Sequence, residues 1–226
     1  MSIGIGIGTG NGVGIGVTSL NVFRVSAPVT NLGFGRRIVL WVAGCSIGCP
    51  GCCSRDTWLA KGRSMTVVKL AQLLQALSVR HGMIAGLTIS GGEPSESAPA
   101  ISALLAQVRR ANPEWDVLLY SGLPWARLQA RFPELLALCD AVIPEPFVHK
   151  LPSEHPLLGS ANQTLRCMTP RGKQRYEGFD MSPTPLEVTV NPNGVEFSGV
   201  PKGDGLDKFT AALARRGIEI TSKSWG

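Results

Sequence analysis

Three cysteines, Cys45, Cys49 and Cys52, stand in the pattern C-x3-C-x2-C within the segment CSIGCPGC. Thiolates are the soft ligands that iron–sulfur clusters require. Three of them on one loop hold three corners of a cubane and leave the fourth iron open. Gly48, Pro50 and Gly51 permit the tight backbone that such wrapping needs. Zinc sites ordinarily take four protein ligands in paired groups. No second pair exists here: Cys139 and Cys167 are isolated, and His81, His149 and His155 have no ligand spacing. A second chemical loop follows at Gly91-Gly92-Glu93-Pro94, where a carboxylate sits directly after two residues without side chains.

These loops need elements to carry them. Arg37–Gly44 (RIVLWVAG) is a continuous apolar run, as expected of a strand buried on both faces, and the cysteines follow it at once. Ser64 or Thr66 can cap a helix whose Leu70, Leu73, Leu74 and Leu77 keep helical spacing, with Gly82 placed to stop it. Gly86–Ser90 reads as a short strand ending in the Gly-Gly-Glu-Pro loop. Ile101, Leu104, Leu105 and Val108 repeat the helical stripe, and Asp116–Tyr120 is a third strand. Residues 125–138 form another helical stretch, interrupted at Pro133, and Ala141–Ile143 a fourth strand. Strands alternating with helices of this length indicate parallel β/α units, whose ligands gather at the carboxyl ends of the strands. Both chemical loops fall at such ends, so the pattern puts them on one rim. Beyond residue 144, Glu187–Val190 and Val195–Phe197 flank Asn191-Pro192-Asn193-Gly194 as an expected hairpin, and residues 206–216 as a last helix.

The C-x3-C-x2-C loop followed by a strand-terminal Gly-Gly-Glu-Pro resembles the radical S-adenosylmethionine (SAM) superfamily. That resemblance implies a partial (β/α) barrel, with a small C-terminal β-hairpin and helix as an extension. It also implies a [4Fe-4S] cluster held by Cys45, Cys49 and Cys52. The open iron chelates SAM, and reductive cleavage yields methionine and a 5′-deoxyadenosyl radical that abstracts hydrogen. By position in the family motif, Ser90, Gly91, Gly92 and Glu93 engage the methionyl amino group, a carboxylate being apt for an ammonium. The stretch WVAGCSIGCPGCCSRDTW (41–58) is similar to the activating-enzyme branch typified by the anaerobic ribonucleotide reductase activator, with Pro-Gly inside the cysteine motif and Thr57-Trp58 after it. Leu119-Tyr120-Ser121-Gly122 resembles the third-strand segment of that branch, Glu145-Pro146-Phe147 its Asp-Gly-Pro-Phe, and Gly159-Ser160-Ala161-Asn162-Gln163 its Gly-Ser-Ser-Asn-Gln segment near SAM. The resemblance thereby makes Tyr120, Ser121, Ser160 and Asn162 SAM contacts. Departures exist. Cys53 stands where an aromatic or His is usual, and a mere substitute, an alternative ligand and a redox-sensitive thiol all remain open for it. Pro144-Glu145 replaces Asp-Gly, and Leu158 replaces an Arg.

Composition bounds the rest. The chain of 226 residues has 44% hydrophobic residues, enough for a packed core, and 17% charged residues, which disfavours a coiled coil. Its net charge of +6 comes from scattered basic residues, densest at Arg36-Arg37, Arg109-Arg110 and Arg215-Arg216, which read as solvated faces. Nucleic-acid binding is not expected from that scatter. The six cysteines are too few for a disulfide scaffold. No apolar run approaches the roughly 18–20 residues that span a bilayer, and no basic stretch precedes an apolar core as in a secretory signal, so a cytoplasmic protein is expected. Residues 1–19, with glycine at every even position from Gly4 to Gly16, read as a disordered leader, residues 20–200 as the radical SAM domain, and 201–226 as an extension packed on it.

The expected function is reductive SAM cleavage that activates a partner enzyme by forming a glycyl radical on it, with a flavodoxin- or ferredoxin-type electron donor. Two other readings stand beside it: radical modification of a small molecule or peptide, including 7-deazaguanine chemistry, and a non-catalytic iron–sulfur or zinc protein.

Overall fold

The computed structural model describes residues 18–59, 61–179, 186–191 and 194–220. Residues 1–17 of the expected 1–19 leader, Pro192 and Asn193 of the expected hairpin, and the residues from 221 lie outside the described residues. In chain order the elements are β1 (Ser19–Val29), β2 (Arg37–Val42), β3 (Arg63–Thr66), α1 (Val67–His81), β4 (Gly86–Gly91), α2 (Ala98–Ala111), β5 (Asp116–Tyr120), α3 (Trp125–Arg131), α4 (Pro133–Leu136), β6 (Ala141–Ile143), β7 (Arg166–Cys167), α5 (Pro170–Tyr176), β8 (Glu187–Asn191), β9 (Gly194–Ser198) and α6 (Gly205–Ala214).

Seven strands form one mixed sheet in the order β3-β1-β2-β4-β5-β6-β7, and β8-β9 form a separate antiparallel ribbon. The centre, β2-β4-β5-β6, is parallel. Its register pairs Val42 with Gly91, Leu87 with Val117, and Tyr120 with Ile143, so the carboxyl ends of the four strands lie side by side. The architecture is therefore α/β with an open strand order.

The apolar runs are continuous because both faces of the sheet are covered. Ile38, Leu40, Val42, Leu87, Ile89, Val117 and Leu119 pack on the helix side, against Leu70 and Leu74 of α1 and Ile101, Leu104, Leu105 and Val108 of α2. Val39 and Trp41 face the other way with Val29 and Leu32, and Leu118, Ala141 and Ile143 pack there with Leu157, Leu158 and Tyr176. Thr66 caps α1, accepting from Lys69 N at 3.3 Å, and Thr169 caps α5, accepting from Gly172 N at 3.1 Å.

Three strands had no counterpart in the sequence reading. β1 runs antiparallel to β2 and β3, with register shifts between Val22 and Arg24 and between Ser26 and Val29. Such bulges break the two-residue alternation that would have marked the strand. β3 and β7 are only 4 and 2 residues long and are strands by virtue of their partners.

The arginine pairs also correct the sequence reading. Arg37, the first residue of β2, is 0% exposed. All five of its N–H groups are used: Nε donates to Thr88 Oγ1 (2.7 Å), Nη1 to Phe34 O (3.0 Å) and Asp116 Oδ1 (2.8 Å), and Nη2 to Leu87 O (2.9 Å) and Asp116 Oδ2 (3.0 Å). Asp116, the first residue of β5, also accepts from Arg175 and from the Tyr176 hydroxyl (2.7 Å). Arg109 likewise donates to Asp140 rather than facing water alone. A guanidinium buried at this depth needs a partner for every donor, and the ion pair satisfies the fork bidentately. Burial pushes the Asp116 carboxyl up, but Arg37 together with hydrogen bonds from Arg37, Tyr176 and Arg175 outweighs it and holds the group below its ordinary range. Its stabilisation is therefore complete above about pH 4 and is lost as pH falls through the lower folded value. We predict that Asp116→Asn lowers unfolding free energy by about 3–5 kcal/mol, because Arg37 is left as an uncompensated buried charge. Urea titration at neutral pH checks this, and a loss below about 1 kcal/mol would contradict it.

Candidate iron–sulfur and SAM site

At the opposite end of the same strands, the chain leaves β2 and enters the cysteine loop. Its base is pinned by Gly44 N donating to Thr57 O (2.8 Å) and Cys45 N to Trp58 O (3.1 Å). Inside it, Cys52 N donates to Cys49 O (3.1 Å), and Ser54 N lies 3.4 Å from the Cys52 sulfur. Gly51 has φ +75°, and a Cβ there would sit 2.9 Å from the His149 ring, so the loop closes against His149 only with glycine at this position.

Cys45, Cys49 and Cys52 are half-buried, Cys53 is exposed, and none of the six cysteines forms a disulfide. Burial pushes the Cys49 thiol up, a backbone group at Phe147 offsets part of it, and the neighbouring Cys52 and Cys45 add to it. Burial likewise raises Cys45, partly offset by backbone groups at Gly48 and Ile47 and reinforced by Glu93 and Glu96. A raised thiol stays protonated on its own, and binding a cation is what converts it to the thiolate. Among the described residues no set of three or more His, Cys, Asp or Glu side chains converges on a single-ion site. A cubane takes each cysteine on a different iron and needs no such convergence. Cys139 is a fully buried core residue whose thiol is pushed up to about 12, and Cys167 lies on the edge strand β7, both remote from the loop in the sheet order.

The Gly-Gly-Glu-Pro loop is locked onto the start of the cysteine loop. Gly92 N donates to Val42 O (2.9 Å) and Glu93 N to Gly44 O (2.7 Å). A Cβ at Gly91 would meet Val42 backbone atoms at 2.6 Å, and one at Gly92 would meet Gly44 O at 2.0 Å. No side chain fits at either position. Glu93 is 2% exposed, and its carboxylate accepts from Ser95 N (2.9 Å), Ser121 Oγ (2.8 Å) and Gly122 N (2.7 Å). It therefore joins the end of β4 to the end of β5. A carboxylate offers about four acceptor positions, and three are filled. The capacity left for an ammonium is a single one.

The other residues expected from the sequence to contact SAM divide. Ser90 pairs with Trp41 in the sheet and is half-buried. Ser121 is committed to Glu93 and to Leu123 N (3.1 Å). The Tyr120 hydroxyl donates to Leu157 O (3.0 Å), and burial pushes its ionisation up, so it acts as a packed strut. Ser160 is fully buried, with Oγ accepting from Val148 N (3.0 Å). Asn162 donates through Nδ2 to Pro146 O (2.9 Å), while its buried Oδ1 has no hydrogen-bond partner. An orphaned buried acceptor beside the rim is what a donor-bearing ligand would complete. Gln163 closes this loop, accepting from Gly159 N (2.9 Å) and donating to Glu145 O (2.9 Å).

Sequence reasoning missed Glu96. Its Oε1 accepts from Ser46 N (2.8 Å) and Ser46 Oγ (2.6 Å), fixing the residue next to Cys45. Nothing in its spacing flags it, because the contact is made across 50 residues. Ser46, Ile47, Glu93, Gly122, Arg127 and Pro146 are among the residues lining a cleft of about 520 Å³ beside the cysteine loop.

Residues 31–166 match the family model described as a 4Fe-4S single cluster domain. The chain is similar to proteins named anaerobic ribonucleoside-triphosphate reductase-activating protein. That of Enterobacteria phage T4 is 35% identical over 136 residues, spanning 59% of this chain and 85% of the relative. That of Escherichia coli strain K12 is 30% identical over 139 residues, 59% and 89% respectively. That of Vibrio cholerae serotype O1 is 31% identical over 143 residues, 61% and 91% respectively.

Gly92→Ala tests the lock between the two loops. The added methyl must displace the Gly44 carbonyl, so we predict a destabilisation of about 1–3 kcal/mol. Iron bound per chain after anaerobic reconstitution should fall with it. Wild-type stability together with wild-type iron content would contradict the role of this close approach.

Proposed function

The chain belongs to the 4Fe-4S single cluster family and to that of the anaerobic ribonucleoside-triphosphate reductase-activating proteins, and from that premise we propose that it is a radical SAM activase. It forms a glycyl radical on a partner enzyme of the anaerobic ribonucleotide reductase type. The observation that carries this reading is the three-thiol loop at the carboxyl end of β2, hydrogen-bonded to the Gly-Gly-Glu-Pro loop at the end of β4.

The donor set fits the cofactors. Cys45, Cys49 and Cys52 would hold three irons of a [4Fe-4S] cluster, whose irons would draw these thiols into the thiolate form. Ser90, Gly91, Gly92 and Glu93 would face the methionyl end of SAM, Glu93 through its one remaining acceptor position. Tyr120, Ser121, Ser160 and Asn162 would border the nucleoside end, with Asn162 Oδ1 as the acceptor that SAM satisfies. When bound, the reduced cluster supplies the electron that cleaves SAM to methionine and a 5′-deoxyadenosyl radical. Glu93 and Glu96 keep their loops in register, and Tyr120 and Ser160 hold the 144–163 segment closed on the rim.

We read the sheet as the partial barrel of radical SAM enzymes, residues 20–200 as its domain, and 201–226 as an extension packed on it. The net charge of +6 suits an acidic flavodoxin- or ferredoxin-type donor. No described helix is long and apolar enough to cross a membrane, and we place the protein in the cytoplasm.

The test is anaerobic reconstitution, reduction with dithionite and assay of 5′-deoxyadenosine. Wild-type protein should form it, and cluster-loaded protein that cleaves no SAM would overturn the reading. Replacing Cys45, Cys49 or Cys52 with Ala should abolish both the cluster and the product. Cys53→Ala should largely spare both, and cluster loss there would overturn the ligand assignment.

A further inference from the structure

Lys202 lies beyond the span of the family match, which ends at residue 166, yet it reaches back to the rim. Its ammonium donates to His155 O (2.7 Å) and Leu158 O (2.6 Å), the latter carbonyl directly preceding Gly159. Leu157 O, between these two, is taken by the Tyr120 hydroxyl (3.0 Å). The carbonyls of 155, 157 and 158 are thus held from two sides, by a strand of the sheet and by the extension.

The extension is itself anchored. Arg24 donates to Glu196 (3.1 Å) and to Phe197 O (3.1 Å), and Asn31 Nδ2 donates to Ser198 O (2.8 Å). The Phe197 and Phe209 rings meet edge-on with centroids 5.4 Å apart, tying α6 to β9. Lys202 follows β9 by four residues and is half-buried, and its desolvation pushes the ammonium down while Glu154 pulls it back up.

We infer that Lys202 is a positioning residue for SAM: it fixes the 155–163 loop so that the Ser160 hydroxyl keeps its bond to Val148 N and the unpartnered Asn162 Oδ1 keeps its place. This inference rests on the SAM reading above. Both carbonyls that Lys202 holds lie just ahead of Ser160 and Asn162, on the segment assigned above to the nucleoside end. Removing the ammonium frees two carbonyls and loosens the loop, which lowers SAM affinity without touching the cluster ligands.

The experiment compares wild type with Lys202→Met, which keeps the apolar stem, and with Lys202→Arg, which keeps the donors. SAM dissociation constants are measured by calorimetry on anaerobically reconstituted protein, with hydrogen exchange read over residues 157–163. Lys202→Met should bind SAM about tenfold more weakly, exchange faster in that segment, and retain wild-type iron content and cluster absorbance. Lys202→Arg should restore most of the affinity. Equal SAM affinity in wild type and Lys202→Met would overturn the inference, as would affinity lost only in parallel with iron. Wild-type protein that carries its cluster and binds no SAM would instead sink the underlying SAM reading. Should Lys202→Met not fold, Lys202→Ala takes its place: weaker SAM binding with native iron content would support the inference, and native affinity with unchanged exchange would overturn it.

Discussion

The site depends on how closely two strand ends approach each other. Gly91 and Gly92 bring the end of β4 so near the backbone of Val42 and Gly44 that a Cβ at Gly92 would lie 2.0 Å from a carbonyl oxygen. Two hydrogen bonds, of 2.9 Å to Val42 O and 2.7 Å to Gly44 O, then fix the backbone three residues and one residue before Cys45. From that lock follow the direction in which the cysteine loop departs and the burial of Glu93. The same carboxylate that follows the glycines reaches the end of β5, so one short segment aligns three loops at once. Backbone contact at this range is beyond any side chain, which is why the motif is a pair of glycines rather than small residues in general.

The two ends of the parallel strands are built differently, and the difference suits their tasks. At the amino ends, Arg37 and Asp116 form a fully satisfied buried ion pair reinforced by Arg175 and Tyr176. At the carboxyl ends the groups are half-buried thiols, a carboxylate with spare capacity and an amide oxygen without a partner. A rigid, satisfied base supports an incomplete rim, as ligand binding at the carboxyl ends of such sheets requires.

Much of this was legible in the sequence, for identifiable reasons. The cysteine spacing and the Gly-Gly-Glu-Pro loop are local, and their chemistry does not depend on distant contacts. The parallel strands were legible because burial on both faces leaves unbroken apolar runs such as Ile38–Val42. What escaped was long-range. Arg37 looked like half of a solvated pair, although Asp116, 79 residues away, takes it into the interior. Glu96 and Lys202 carry no spacing signal, since their partners are 50 and 44 residues distant. Glu93 was read as a ligand for an ammonium, and its heavier duty as the joint between β4 and β5 emerges only when its three donors are seen together. β1 was hidden by bulges, and β3 and β7 by being too short for any period to register.

The central claim is that Cys45, Cys49 and Cys52 hold a four-iron cluster whose remaining iron is open to SAM. Electron paramagnetic resonance of the anaerobically reconstituted, dithionite-reduced protein, recorded with and without SAM, tests it most directly. A signal of a reduced [4Fe-4S] cluster whose g-values move when SAM is added is the predicted result. A cluster signal indifferent to saturating SAM, or correctly loaded protein in which all four irons are held by the chain, would contradict it.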